Sequence, residues 1–310
     1  MSLRIASVAW KLRPNRSDGG YFAHWHDLVS AAHDGGAQVV VFPELHLLEL
    51  LPLAKDVVPH EAAEYLVQYG DAMEEWIGRI ADSSGMILVG GSHFKETPDG
   101  IKNVCAIGVP GGGIVLAEKN NLTVYERETW NIVPGRGLAR LPEGLGVNVC
   151  YDSEFPGAAR ALAEAGMKTL CVPSWTETQR GFQRVRWSCL ARSIENGCFV
   201  VHASLVGDLG AEPVPSTFGS SMIAAPSVDP FPVEAILRET DLNEEGVVYA
   251  DLDYDMLDEA REKGEVRNWH DRDAGDWTVA EAPPPLHDPN IANHGQHDQS
   301  NDDGFPLGEA

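Results

Sequence analysis

The sequence predicts an α/β protein made of mixed β-sheets with helices on their outer faces. Three observations carry that expectation. Ten short apolar runs alternate with stretches of helical periodicity along the 310-residue chain. Two of the runs are separated only by the PGGG at 110–113, which implies an antiparallel hairpin and a sheet that is not wholly parallel. Ten strands also exceed what one open sheet usually holds, so two sheets packed face to face are expected.

In chain order, strands are expected at 5–10, 39–42, 87–90, 104–109, 113–117, 147–150, 169–172, 199–203, 222–225 and 246–252. Helical periodicity is clearest over 62–81, where Tyr65, Leu66, Tyr69, Met73, Trp76, Ile77 and Ile80 share one stripe. Phe22, Trp25, Leu28, Val29 and Ala32 form a second stripe, and Phe182, Val185, Leu190, Ser193 and Ile194 a third. A turn at 154–157 leads into a further helix over 158–165. From 283 the composition changes: the last 28 residues hold five acids, no Lys or Arg, and little that can pack. A polar tail over 282–310 is therefore expected, mobile or ordered against a partner subunit, after a folded domain over 1–281.

Composition excludes some partners. A net charge of −24 argues against nucleic acid and anionic membrane, both of which need basic surface. Hydrophobic residues at 43% and charged residues at 23% are a soluble globular balance. No apolar stretch reaches bilayer length and the N-terminus lacks a secretory pattern, so a soluble cytoplasmic protein is expected. The five cysteines form no CxxC pair, and four of them sit inside apolar segments as small core residues. No metal site is expected. His24 and His26 lie two apart on a helix and face different ways, while His287, His294 and His297 are scattered in the tail.

Three residues at the ends of apolar runs carry the chemistry. Glu44 follows VVVFP, Lys119 follows GIVLAE, and Cys150 follows LGVNV. A carboxylate, an ammonium and a thiol are what a hydrolase needs to attack an unactivated carbonyl through sulfur. Each alone has a plainer reading: a surface carboxylate, a snorkelling lysine, a buried core thiol. Two features weigh against those readings. Glu44 runs on into the apolar LLELLPL, and a buried glutamate needs a partner. Lys119 leads into the polar and aromatic NNLTVYERETW, which reads as pocket lining. Cys150 precedes a turn, where free N–H groups, chiefly that of Tyr151, can bind a developing oxyanion.

VVVFPEL, EKNNLTVYERETWNIVPG, VCYDSEFPGAAR and ARSIENGCFVV, in that order, resemble the carbon–nitrogen hydrolase (nitrilase) superfamily, and the match extends to GSSMIAAP and GVVYADLDYDML, covering roughly residues 4–270. The resemblance implies a four-layer α-β-β-α sandwich, a homodimer or larger oligomer, and no cofactor. It implies Glu44 as general base, Lys119 as stabiliser of oxyanion and thiolate, and Cys150 as nucleophile. A second glutamate seven residues past the lysine would be Glu126, with Glu128 as the alternate. The substrate implied is a small-molecule amide or N-carbamoyl compound, with a nitrile or a non-catalytic regulatory role as alternatives.

Departures from the family pattern bear on the substrate. Tyr151-Asp152 follows the cysteine where the nitrile-cleaving branch tends to have Trp-Glu, which favours amide or N-carbamoyl substrates. Asn121 replaces a common histidine and Gly157 a common glutamate. The loop PSWTETQRGFQRVRW is expected to set specificity, with Trp175, Thr176 and Thr178 at the pocket mouth if adjacent parallel strands carry them. Trp175 packing beneath the loop is the other reading. Arg180, Arg184 and Arg186 are offered for a substrate carboxylate, or for pairing with Glu177 or Glu195.

Overall fold

A computed structural model describes residues 2–14, 17–54, 57–273, 275, 278 and 280. The described residues up to Asp273 form one compact unit. The expected tail over 282–310, with His287, His294 and His297, lies outside the described residues.

The first sheet is built around β1 (Ser2–Leu12), which pairs in parallel with β2 (Val39–Val41) and antiparallel with β11 (Gly246–Asp253). It continues through β3 (Ile87–Thr97), β4 (Gly100–Val109) and β5 (Gly113–Glu118). The second sheet runs through β6 (Leu145–Val147), β7 (Thr169–Trp175), β8 (Phe199–Gly207), β9 (Met222–Ala224) and β10 (Ile236–Glu239). Both mix parallel and antiparallel pairs. They join at one place, where Trp10, Lys11 and Leu12 of β1 pair with Leu205, Val206 and Gly207 of β8.

The layers follow from side-chain alternation. In β2, Val39 and Val41 face the second sheet, in one apolar cluster with Leu170, Val172 and Val201, whereas Val40 belongs to a different cluster. That second cluster holds Trp25 and Leu28 of α1 (Asp18–Asp34) and Met73 and Ile77 of α3 (Gly70–Ser84). The outer face of the second sheet is covered by Ala159 and Leu162 of α5 (Pro156–Glu164) and by Val185 and Cys189 of α6 (Gln179–Asn196). Helices, sheet, sheet, helices is the four-layer α-β-β-α sandwich. Between the sheets the Ser7 hydroxyl donates to the His202 carbonyl at 2.8 Å, which satisfies a polar group that is otherwise fully buried.

Three local expectations are corrected. The single helix over 62–81 is instead α2 (Ala62–Leu66), a 3₁₀ turn at Val67–Tyr69, and α3. Its stripe survives because the turn keeps the buried face pointing inward. At the junction, Gly70 lies so close to β3 that a Cβ would sit 2.6 Å from the Phe94 carbonyl. Strand β10 was not expected, since ILRE is too short and too polar to stand out. The strand expected at 147–150 ends at Val147, and Cys150 leaves the sheet with φ +45°.

Candidate active site

Glu44 reaches the site because the chain leaving β2 is pressed against β3. A bulge at Gly90–Gly91 permits the approach: a Cβ on Gly91 (φ +76°) would lie 2.2 Å from the Pro43 carbonyl, so only glycine fits. The next residue, Leu45, takes φ +49° and donates its N–H to the Ser92 carbonyl at 3.1 Å. Glu44 is 1% exposed. Its Oε1 accepts from Lys119 Nζ at 2.7 Å and from Asn103 Nδ2 at 3.0 Å, and its Oε2 accepts the Trp175 backbone N–H at 3.0 Å.

Lys119 is the first residue past β5. Its N–H donates to the Asn103 carbonyl at 2.9 Å, and its own carbonyl takes the Gly135 N–H at 2.8 Å. A Cβ at Gly135 would meet Glu118 Cβ at 2.3 Å, so a glycine there lets the second chain close over the lysine. Beyond Glu44, Nζ lies 2.9 and 2.8 Å from Glu126 Oε1 and Oε2. A buried ammonium without such partners would cost several kcal/mol, which is why two carboxylates meet it.

Glu126, rather than Glu128, joins this group. It lies in α4 (Val124–Glu128), where Thr123 caps the helix and Glu126 reaches back to it. Its Oε2 accepts from the Thr123 N–H at 2.8 Å and from its hydroxyl at 3.0 Å, which fixes the carboxylate beside Lys119. Glu128 is exposed.

Cys150 opens a 3₁₀ turn, Cys150–Glu154, in a left-handed backbone conformation that costs a non-glycine residue about 1 kcal/mol or more. The Ser153 hydroxyl donates to the Cys150 carbonyl at 2.7 Å and pins the turn. The thiol Sγ–H donates to the Trp175 carbonyl at 3.4 Å. Trp175 therefore holds the Glu44 carboxylate by its N–H and the Cys150 thiol by its C=O. Tyr151 follows at the start of the turn, where an N–H has no partner within the turn, and its ring meets Phe155 edge-on at 5.0 Å.

A cavity of about 370 Å³ opens over this group, lined by Glu44, Lys119, Glu126 and Cys150, with Trp130, Tyr125, Leu122 and Val185 as its apolar wall. Tyr151, Trp175, Thr176 and Thr178 all line it. Both readings of Trp175 hold: it lines the cavity, and its ring stacks on Trp130 at 5.8 Å. The hydroxyls of Thr176 and Thr178 are engaged by the fold, one donating to the Phe218 carbonyl at 2.7 Å, the other capping α6 by accepting the Gly181 N–H at 3.1 Å. Of the three arginines only Arg184 lines the cavity, loosely paired with Glu154 at 3.5 Å. Arg186 pairs with Glu239 instead, and the partner of Glu195 is Arg192 at 3.2 Å.

Two residues were not anticipated. Asn103, in the middle of β4, donates Nδ2 to Glu44 Oε1 and Glu126 Oε1, both at 3.0 Å. Asp152, two residues past Cys150, accepts from the Asn121 N–H at 2.7 Å, its Nδ2 at 2.9 Å and the Asn120 N–H at 3.1 Å, and so clamps the cysteine turn to the chain leaving Lys119. The signal for Asn103 was present: one amide inside the apolar run IKNVCAIGV must find partners when buried.

Burial and charge push these groups apart. Burial raises the Glu44 carboxyl above the ordinary range, Lys119 opposes this, and the Glu126 charge adds to it. Burial would raise Glu126 too, but Lys119, Asn103 and Thr123 hold it below that range. Burial would lower Lys119, yet the Glu126 and Glu44 charges more than offset it, so its pKa is raised. The Cys150 thiol is pushed up by burial and by Glu44, with Lys119 only partly compensating. The surroundings thus favour the ammonium of Lys119 and the carboxylate of Glu126, and make the Glu44 carboxylate and the Cys150 thiolate more basic. That arrangement suits proton transfer to Glu44 as sulfur attacks. Among the described residues no group of three or more His, Cys, Asp or Glu is arranged to hold a metal, and His24 and His26 point to different environments, one buried and one exposed.

A family model described as carbon-nitrogen hydrolase matches residues 4–262. The chain belongs to the carbon–nitrogen hydrolase family. Among the relatives of this hydrolase, a probable hydrolase YhcX of Bacillus subtilis is 32% identical over 274 residues, covering 87% of this chain but 53% of that protein. The chain thus spans about half of that relative's length. An omega-amidase of Xenopus tropicalis is 27% identical, covering 77% of this chain and 85% of its own. Among solved structures, a variant amidase from Nesterenkonia sp. AN1 carries the acetamide moiety of fluoroacetamide on its active-site cysteine. It superposes with TM-score 0.65 at 25% identity, over 84% of this hydrolase and 95% of that chain. Among the described residues no helix is long and apolar enough to cross a membrane.

Proposed function

We propose that this hydrolase is an amidase that cleaves a small linear amide or N-carbamoyl compound through a thioester on Cys150. The observation that carries the proposal is the convergence of Glu44, Lys119 and Cys150 on one cavity. Glu44 takes the thiol proton as sulfur bonds to the carbonyl carbon. The oxyanion forms beside Lys119 and the Tyr151 N–H. Its collapse breaks the C–N bond, Glu44 gives the proton to the leaving nitrogen, and ammonia or an amine departs. Glu44 then deprotonates a water that attacks the thioester, and the carboxylic acid leaves as the thiol is restored. Glu126 holds Lys119 throughout, and Trp175 and Tyr151 frame the acyl group.

Arg184 favours an acyl group that carries its own carboxylate, since it stands on the cavity wall with Glu154 at a loose 3.5 Å. An omega-amide, the class in the name of one relative, has that chemistry. We propose a homodimer or larger homo-oligomer, as membership of the family implies. Five free, buried cysteines fit a reducing cytoplasm. We place the end of the catalytic domain near 281, with 282–310 outside it.

The test is a panel of amides, carbamoyl amino acids and nitriles read by ammonia release, with intact-mass detection of acylated Cys150. Amide turnover that disappears in Cys150→Ala supports the reading. Turnover of nitriles without amides would make the enzyme a nitrilase, and activity retained by a folded Cys150→Ala would remove the nucleophile altogether.

A further inference from the structure

We infer that Asn103 is a positioning residue that sets the protonation of the base, acting through the two glutamates without touching substrate. The inference rests on the reading of Glu44 as base and Cys150 as nucleophile. The geometry is a closed ring of four atoms: Glu44 Oε1, Lys119 Nζ, Glu126 Oε1 and Asn103 Nδ2, with contacts of 2.7, 2.9, 3.0 and 3.0 Å in turn. Two negative oxygens alternate with two donors. The amide orientation is not open to choice, because both neighbours are carboxylate oxygens and only the NH₂ end can serve them.

The ring has a chemical consequence. Lys119 alone cannot neutralise two buried carboxylates, so one of them would hold a proton unless another donor stabilised the anion. A charged donor in place of Asn103 would over-stabilise Glu44 and weaken it as a base. A neutral amide gives each glutamate one hydrogen bond and no charge. It also occupies Oε1 of Glu44, leaving Oε2, held only by the Trp175 N–H among the hydrogen bonds described, to meet the thiol.

The side chains facing Glu44 come from four elements. Lys119 leaves β5, Asn103 lies on β4, Glu126 on α4 and Cys150 on its turn, and the Cys105 thiol on β4 is a further titratable neighbour whose own shift registers the Glu44 charge. Of these only Asn103 does not titrate. Its replacement therefore changes the site without adding a proton-binding group, which makes its effect on a pH profile readable.

Removing the amide takes one donor from each carboxylate, so protonation is favoured and the base is lost at a higher pH. In Asn103→Leu the acid limb of kcat should move upward by about one pH unit, with KM changed by less than about threefold. Asn103→Thr keeps one hydroxyl donor, enough for one glutamate, and should shift the limb by less. The pH dependence of Cys150 alkylation by iodoacetamide, followed by intact mass, should move in the same order without any turnover. Acid limbs at the wild-type pH in both folded variants would overturn the inference, as would failure of both to fold, which would make Asn103 a structural residue. If Cys150→Ala stays active, the reading of the nucleophile fails instead. An inactive Cys150→Ala with unshifted Asn103 variants removes only the inference.

Discussion

Lys119 illustrates why a charge so expensive to bury is kept. Replacing it with alanine should cost about 3 kcal/mol of transition-state stabilisation, roughly a hundredfold or more in kcat, the scale of a lost oxyanion donor. Single-turnover acylation would measure it, and a loss confined to KM would contradict the role. Glu126 offers a sign test. Its charge pushes the Glu44 carboxyl up, so Glu126→Gln should let Glu44 ionise at lower pH. If Glu44 is the base proposed above, it acts when ionised, and activity should fall as pH drops through its raised pKa. The acid limb in Glu126→Gln should therefore move down, opposite to the shift expected on losing Asn103, with a lower plateau because Lys119 is less firmly held. Titration of kcat between pH 4 and 8 would decide it. At this scale the sequence named Glu44, Lys119 and Cys150 because each stands at the edge of an apolar run, and Glu126 through the family resemblance. Asn103 and Asp152 were missed because one is hidden within such a run and the other follows the cysteine as an ordinary turn acid.

At the scale of elements, α4 is a five-residue helix that exists to aim one carboxylate. Its capping box is shared between stability and chemistry, because the Thr123 that starts the helix also fixes Glu126 Oε2. Thr123→Ala should lower stability by about 1 kcal/mol and reduce kcat more than it changes KM. Thermal melting and steady-state kinetics would separate the two effects. A variant that loses stability while kcat stays unchanged would confine Thr123 to capping. The strands other than β10, and the β4–β5 hairpin, were readable because each is a short apolar run between turn residues. The break at 67–69 was not, because a 3₁₀ turn can carry a buried stripe through without disturbing its spacing. Nor was the backbone reversal at Cys150, which packing imposes on a residue that would otherwise prolong its strand.

For the molecule as a whole, the layer order was anticipated through alternation, whereas its internal polar contacts were not. Beneath the first sheet His24, 3% exposed, stands between Glu49 at 3.1 Å and Glu245 at 2.7 Å. Burial lowers its pKa, but hydrogen bonds and charge from Glu245 and Glu49 raise it above 6.5 on balance. The protonated form is thus favoured by folding. Its contribution is complete below the unfolded value of about 6.5 and fades as pH climbs through the higher folded value. Melting temperature should fall across that window, and His24→Gln should flatten this part of the profile. The join between the sheets has a different consequence. Glu44, Asn103 and Lys119 stand on or just past strands of one sheet and Cys150 and Trp175 on or just past strands of the other, and three residues at the end of β1 form the backbone seam between the sheets. Heat cannot loosen one half and spare the other while that seam holds, so loss of catalysis on warming should track cooperative melting degree for degree. A cut in the seam, as in Lys11→Pro, should silence the enzyme at temperatures where most of its secondary structure is still in place.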